Sequence, residues 1–474
     1  MEITPFFMEN NMLSTAFILA TLIFIFLFII KLTKFKNLKN LPPGPPKLPI
    51  IGNLHQVGDK PHVSLAHFAK EHGPLISLRL GTQVLVVASS PEAAMGVLKT
   101  QDRLLSSRTV PTAFQQESLL PHSILWSDCN ESWKTLRTLC QTEMFSAKAL
   151  QAHSRLRQEK LDRMVDFLHK KQGQAINVEK VIFATLFNSL SCVVFGKDLV
   201  DLESEHEVMG GLKDSLFRIL AYGGQVKDFE DRRAQVNSST WSSDQAKSFV
   251  DRLLEKKFTN NQINEYVAEL FVAGGNTTTT ALVWAMSELV RNKDIISKIQ
   301  EEIKREVKSE KLNESHLSKL PYLQACIKET LRLHPPVPFL LPHKAKETCE
   351  VMNYTIPKNA RIFVNVWAMG QDPKVWDDPL SFKPERFLGS NLDYKGQHFE
   401  LLPFGSGRRI CPGLPLGSKN MELILATLIH EFDWALPNGQ DPMKLNMDHK
   451  FVITLKKEQP LELVFKPKQA SSVA

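Results

Sequence analysis

The chain has 474 residues, 43% of them hydrophobic and 23% charged, and its 58 basic and 51 acidic side chains leave a net charge of +7. Length and apolar content suffice for a large globular core. The basic excess is small and no long basic run carries interleaved aromatics, which argues against a nucleic-acid-binding surface.

No internal repeat or second linker divides the sequence, so it reads as one large domain behind an N-terminal anchor. The six cysteines, Cys129, Cys140, Cys192, Cys326, Cys349 and Cys411, form no C-x-x-C pair. Cysteines scattered through a long chain point to a reducing compartment rather than a disulfide framework.

Asn10 to Ile30 carries no charge and Phe17 to Ile30 is almost wholly apolar. A run of about 20 such residues is long enough for one membrane helix. Lys31, Lys34, Lys36 and Lys39 follow it, while Glu2 and Glu9 precede it. The positive-inside bias puts the downstream chain in the cytosol. Leu41 to Pro49 holds five prolines, and fixed φ angles make it a stiff spacer. The expected division is therefore 1–30 anchor, 31–49 basic and proline-rich hinge, and 50–474 large folded domain.

Leu75 to Ser90 alternates and is interrupted near Gly81-Thr82, predicting a two-stranded hairpin. Leu104 to Trp126, with Pro111 and Pro121, reads as loop. Trp133 and Arg137 fall four apart on a predicted helix, so both can reach one anionic group. Such a pair also fits plain packing beside a solvated charge. Gln225 to Lys247 is polar and reads as surface loop or disorder.

Glu265 to Arg291 has helical apolar spacing. Its middle, Ala273-Gly274-Gly275-Asn276-Thr277-Thr278-Thr279-Thr280, is rich in poor helix formers, which predicts a distortion there. Threonine hydroxyls bonding back to carbonyls would widen it. Further on, Glu329 and Arg332 lie three apart on a helix ending near His334-Pro335-Pro336. Val337 to Pro342 is apolar and proline-stiffened. Phe451 to Leu455 reads as the last strand.

The stretch Phe404-Gly405-Ser406-Gly407-Arg408-Arg409-Ile410-Cys411-Pro412-Gly413 is a tight loop presenting one sulfur. A helical pattern follows from Leu414 to Phe432, so the amide groups and dipole at a helix start favour a Cys411 thiolate. A thiolate so held is a metal ligand or a nucleophile; the bland reading is a small buried residue. A dinucleotide loop fits poorly, because the third glycine is missing at the required spacing.

Phe-x-x-Gly-x-Arg-x-Cys-x-Gly resembles the haem-binding loop of the cytochrome P-450 family. Trp133-x-x-x-Arg137, Ala273-Gly274-x-Asn276-Thr277, Glu329-x-x-Arg332 and Pro384-Glu385-Arg386-Phe387 appear with it in the family's order, so the resemblance spans nearly the whole chain. It implies a mainly α fold with small β-sheets, the cytochrome P-450 fold, behind one N-terminal transmembrane helix. It implies a monooxygenase-type oxidoreductase with haem b (iron protoporphyrin IX), fed by NADPH through a flavoprotein reductase. Cys411 would ligate the iron, Phe404 shield the sulfur, and Trp133, Arg137, His343 and Arg409 meet propionates. Ala273, Gly274 and Gly413 would allow close approach of the haem. Thr277 would steer protons, and Glu329, Arg332 and Arg386 would hold the core. The reductase is expected on the cysteine side, where Arg408 and Lys419 lie.

Asn276 stands where the family has a carboxylic acid, and an amide does not relay protons as an acid does. The stretch between Trp133 and Thr277 also looks shorter than usual. Ile124 to Cys129, Lys170 to Gly173 and Asn353 to Pro357 resemble the plant alkaloid branch holding N-methylcoclaurine hydroxylase, berbamunine synthase and littorine mutase. The Asn276 departure leans towards oxidative rearrangement of the littorine-mutase type, giving hyoscyamine aldehyde. Alkaloid hydroxylation, phenol coupling and a non-catalytic haem-binding protein stay open. The resemblance also implies the endoplasmic reticulum membrane and a small hydrophobic substrate.

Overall fold

The computed structural model describes residues 15–26, 40–110, 123–204, 232–234, 247–308, 310–452 and 454–468. In chain order its main elements begin with α1 (Thr15–Phe26), α2 (Pro61–His72), β1 (Leu75–Leu80), β2 (Gln83–Ala88) and β3 (Ser107–Arg108). Then come α3 (Glu131–Cys140), α4 (Ser154–Lys170), β4 (Ala175–Asn177), α5 (Val178–Phe195), α6 (Asn260–Arg291), α7 (Lys293–Val307) and α8 (Pro321–Leu333). The last third holds β5 (His343–Lys344), β6 (Cys349–Val351), β7 (Tyr354–Ile356), β8 (Arg361–Val364), α9 (Leu414–Glu431), β9 (Phe432–Ala435), β10 (His449–Phe451), β11 (Leu455–Lys457) and β12 (Glu462–Pro467).

Helices dominate, and the sheets are small. The largest has the order β1-β2-β8-β5-β3. Its β1/β2 hairpin is antiparallel with Leu75 opposite Ala88, as the alternation predicts. β4, β12 and β9 form a three-stranded sheet, while β6/β7 and β10/β11 are separate hairpins. The reading of Phe451 to Leu455 as the last strand is corrected: it spans the turn between β10 and β11, and β12 ends the fold. Short strands with mixed burial gave too weak a period to separate them.

The helical core joins α4, α5, α6, α7, α8 and α9 through residues such as Met164, Ile182, Leu282, Met286, Leu323 and Leu425. α5 is capped by Asn177, whose side chain accepts from the Lys180 N–H, and it ends at left-handed Gly196. Long and apolar enough to cross a membrane, it is mostly buried in the protein. Its apolar length therefore serves the core.

α6 starts at Asn260, five residues before the predicted Glu265. A capping box explains the extension: Thr259 accepts from the Gln262 N–H while the Gln262 side chain accepts from the Thr259 N–H. The expected distortion at its centre is not present as a break; α-helix runs unbroken through Gly274, Gly275 and the four threonines. Buried neighbours on α5 and α8 hold it, overriding propensity. Leu104 to Trp126 is not all loop, since it includes the end of a helical turn (Asp102–Leu105) and strand β3. Residues 111–122 lie outside the described residues, as do most of Gln225 to Lys247 and residues 31–39 of the hinge. Arg232 to Ala234 are helical.

Two polar clusters, one ionic and one neutral, brace this frame. Glu329 is fully buried and accepts from Arg332 at 2.7 Å on each oxygen and from Arg386 Nε at 3.0 Å. Trp376 lies under both guanidiniums, 5.3 Å and 6.0 Å from their carbons. The second cluster is an imidazole pair, with His62 Nε2 and His449 Nε2 2.8 Å apart. Only one of these nitrogens can carry the shared proton. Burial first, then His449 and Lys60, lowers the His62 pKa to about 3, and burial also lowers that of His449.

The fold thus prefers the neutral ring, while the unfolded chain takes up its proton near pH 6.5. This stabilisation is complete above pH 6.5 and declines as pH falls towards 3. We expect acidification from pH 7 to pH 4 to cost on the order of 3 kcal/mol through His62 alone. His62→Phe, which keeps an aromatic against Trp367, should flatten that slope in urea titrations run at several pH values. An unchanged slope would remove the pair from the acid sensitivity.

Candidate active site

The sulfur loop is shaped by backbone that side chains would obstruct. Gly405 and Gly407 have φ of 72° and 66°. A Cβ on Gly407 would lie 2.1 Å from the Leu98 carbonyl oxygen. The Cys411 N–H donates to the Phe404 carbonyl at 2.9 Å, closing the loop just before α9. The N–H groups of Gly413 and Leu414 point at the sulfur and, with Arg137, lower the thiol pKa; burial outweighs them and raises it. The helix start pulls towards the thiolate expected from the sequence, and burial pulls more strongly the other way.

Beside the loop lies a cationic cluster. Arg137 of α3 donates to the Ile410 carbonyl at 2.6 Å. Arg409 donates to the carbonyls of Ser106, at 2.9 Å, and of Ser127. Both guanidiniums flank the Trp133 ring, at 5.3 Å and 4.9 Å from its centroid. The i, i+4 spacing on α3 therefore does bring Trp133 and Arg137 together. Trp133 itself is buried and its indole N–H donates to the Ile124 carbonyl at 3.0 Å.

Sequence reasoning missed a further member, Arg108 of β3. It is 8% exposed, donates to the Leu341 carbonyl at 2.6 Å, and its Nε has no partner. Burial lowers the pKa of Arg108, Arg137 and Arg409 alike. Among the described residues, no carboxylate forms an ion pair with any of the three. The readable signal was a lone cation in the otherwise uncharged stretch Leu104 to Phe114.

His343 of β5 sits next to Arg108, and its Nδ1 is 2.7 Å from the Leu105 carbonyl. Burial first, then Arg108, lowers its pKa well below the usual value, so the ring is neutral. Nδ1 then carries the hydrogen and Nε2 is left as an acceptor. The expectation that His343 donates to a propionate is not met by this tautomer.

α6 supplies the opposite wall. Its flanks are buried, yet Ala273 and Gly274 are exposed at its centre. The Thr277 hydroxyl donates to the Ala273 carbonyl at 2.7 Å. The Asn276 amide is 3.5 Å from the Thr454 hydroxyl, at the tip of the β10/β11 hairpin. A Cβ on Gly417 of α9 would lie 3.8 Å from both the Phe404 ring and Thr278, so α6 and the sulfur loop meet there. Gly275 serves packing, since a Cβ there would press on the Phe183 ring at 3.2 Å.

Two predicted docking cations are already engaged. Arg408 pairs with Asp102 at 3.0 Å and Lys419 with Glu314 at 3.2 Å. Among the described residues, no group of three His, Cys, Asp or Glu could hold a bare metal ion.

A sequence profile described as Cytochrome P450 matches residues 42–221 and 208–464. This chain is a cytochrome P450. It is 45% identical over 473 residues to a probable (S)-N-methylcoclaurine 3'-hydroxylase isozyme 2 from Coptis japonica, covering 94% of this chain and 97% of that protein. It is 40% identical over 471 residues to corytuberine synthase from Coptis japonica, with 93% and 96% covered. It is 38% identical over 467 residues to geraniol 8-hydroxylase from Catharanthus roseus, with 90% and 94% covered.

As a P450 it is a monooxygenase that uses haem, with electrons from NADPH by way of a reductase. The residues present fit that group. One sulfur faces helix N–H donors, and one buried and two half-buried guanidiniums, in no ion pair among the described residues, match a ligand with two carboxylates.

Proposed function

We propose that this P450 hydroxylates a plant alkaloid of the N-methylcoclaurine type, with phenol coupling as the alternative within that branch. The haem reading of these residues is carried by one observation, the cluster of Arg108, Arg137 and Arg409 beside the Cys411 loop, which forms no ion pair among the described residues. The substrate class is supported by the names of relatives 40–45% identical over nearly the whole chain. Rearrangement of the littorine-mutase type has only Asn276 in its favour, and that amide is turned to Thr454.

In this reading Cys411 holds the haem iron and Phe404 shields its sulfur. Arg108, Arg137 and Arg409 hold the propionates, with Trp133 packed between two of them. His343 positions Arg108 and its loop rather than donating itself. Ala273 and Gly274 would leave room for the group on the α6 side, and Gly413 beside the sulfur would keep side-chain bulk away from it. Bound there, haem would supply dioxygen activation: with electrons from the reductase and protons from solvent, one oxygen atom would enter a C–H bond and the other would leave as water. Thr277 holds a proton at its Oγ1, at present given to the Ala273 carbonyl, and must rotate to deliver it. Asn276 supplies no acid, so water carries protons to that hydroxyl.

The anchor reading belongs to this proposal as well. α1 is apolar and exposes Phe17, Phe24 and Phe26. An exposed apolar helix followed by four lysines fits a single span of the endoplasmic reticulum membrane, with residues 50–474 in the cytosol.

Incubation with a plant reductase, NADPH and a panel including N-methylcoclaurine and littorine tests the reading by product mass. Gain of one oxygen on the coclaurine-type substrate is expected. Protein with a thiolate-type carbon monoxide spectrum that makes only the rearranged littorine product, or no NADPH-dependent product, would overturn it.

A further inference from the structure

The turn from Ser123 to Ser127 is gripped from two sides. On one side stands Glu269 of α6, two helical turns before Thr277. One of its oxygens accepts from the Ser123 hydroxyl; the other accepts from the Ile124 N–H at 2.9 Å and the Leu125 N–H at 3.3 Å. On the other side the turn's carbonyls face the cationic cluster. Ile124 accepts from the Trp133 indole at 3.0 Å, and Ser127 accepts from Arg409. Within the turn, Ser123 also accepts from the Trp126 N–H at 2.7 Å.

Ser123, Ile124 and Ser127 are each under 9% exposed, so their peptide groups depend on protein partners. A turn whose N–H groups are fixed by one carboxylate holds its carbonyls in one orientation. Those carbonyls are what orient Trp133 and one nitrogen of Arg409. No packing need explains a carboxylate on this face of α6, between Val267 and Leu270; a leucine would fill the space without needing three donors.

We propose that Glu269 is a positioning residue, latching the Ser123–Ser127 turn to α6 and through it setting Trp133 and Arg409. The latch itself needs only these contacts; its bearing on haem rests on the propionate assignment above. Burial first, with Glu265 adding to it, raises the Glu269 pKa to about 7 against the Ser123, Ile124 and Leu125 donors. The other titratable groups facing it are Tyr266 on α6 and Cys140 on α3, with Arg137 beyond them. Protonated, the carboxyl gains a donor and loses acceptor strength, so the grip loosens as pH falls through neutrality.

Hydrogen exchange of the full chain, read on the peptide spanning 123–127 and corrected for intrinsic rates, tests the latch. Protection in the native protein should fall as pH is lowered from 8 to 6. Glu269→Leu should lower it roughly tenfold or more at every pH. Glu269→Gln, which keeps shape and one acceptor, should fall between them and lose the pH dependence. Unchanged protection in both variants, each folded by circular dichroism, overturns the latch. Haem release to an acceptor globin should quicken in Glu269→Leu and in Arg409→Gln. Quickening in Arg409→Gln alone overturns the link from latch to haem. If neither variant releases haem faster while exchange still responds, the latch stands and the propionate assignment of Arg409 falls.

Discussion

Cys411→Ala is expected to abolish the thiolate-type Soret band of the reduced, carbon monoxide-treated protein and to reduce turnover to the uncatalysed background. Alanine fits the loop, because the backbone bond from residue 411 to Phe404 and the left-handed glycines do not depend on the sulfur. The Gly413 N–H would lose the sulfur it faces, while the Leu414 N–H keeps the carbonyl of residue 411 at 3.4 Å. The variant should therefore fold and lose its iron ligand, which separates loss of chemistry from loss of structure. Spectroscopy with and without added haem, beside circular dichroism, checks this. A surviving thiolate-type band would move the ligand away from Cys411.

Glu329→Ala is expected to be the most destabilising single change in the core. It removes the acceptor for Arg332 and Arg386 and for the Lys383 N–H, and it leaves two guanidiniums with only carbonyl partners. Breaking a buried ion cluster from one side costs about 3–5 kcal/mol. Glu329→Gln, which keeps an oxygen, should cost less. Trp376, packed under both arginines, is a local fluorescence reporter for a urea titration. A midpoint within error of the native protein would mean that the arginines find full compensation in the Gly370, Pro379 and Ser381 carbonyls.

Local chemistry made some elements readable in the sequence. The β1/β2 hairpin follows from alternation about Gly81, and α8 stops before a proline pair. The sulfur loop and its helix follow from glycine, cysteine and a helical repeat within 30 residues. What resisted reading depends on partners far along the chain. Arg108 gains its meaning from Leu341 and Arg409, and Glu269 from a turn about 145 residues earlier. Arg408 and Lys419 look like free cations until Asp102 and Glu314 fold against them. The start of α6 was missed for a different reason, since its first turns are polar and only the Thr259/Gln262 box marks them. The family profile fixes haem chemistry, but the substrate is recognised by walls assembled from separate segments.

The buried helix Val178–Phe195 has a consequence for biosynthesis. As it leaves the ribosome it is long and apolar enough to cross a membrane, with charge only at Glu179 and Lys180 in its first turn. α6, against which it packs, begins only at Asn260. If the nascent chain is tethered at a translocon by α1, this segment competes for insertion throughout that interval. Substitutions that slow the packing of α5 on α6, such as a larger residue at Gly275, would then give inverted or doubly spanning chains before any loss of catalytic geometry became visible.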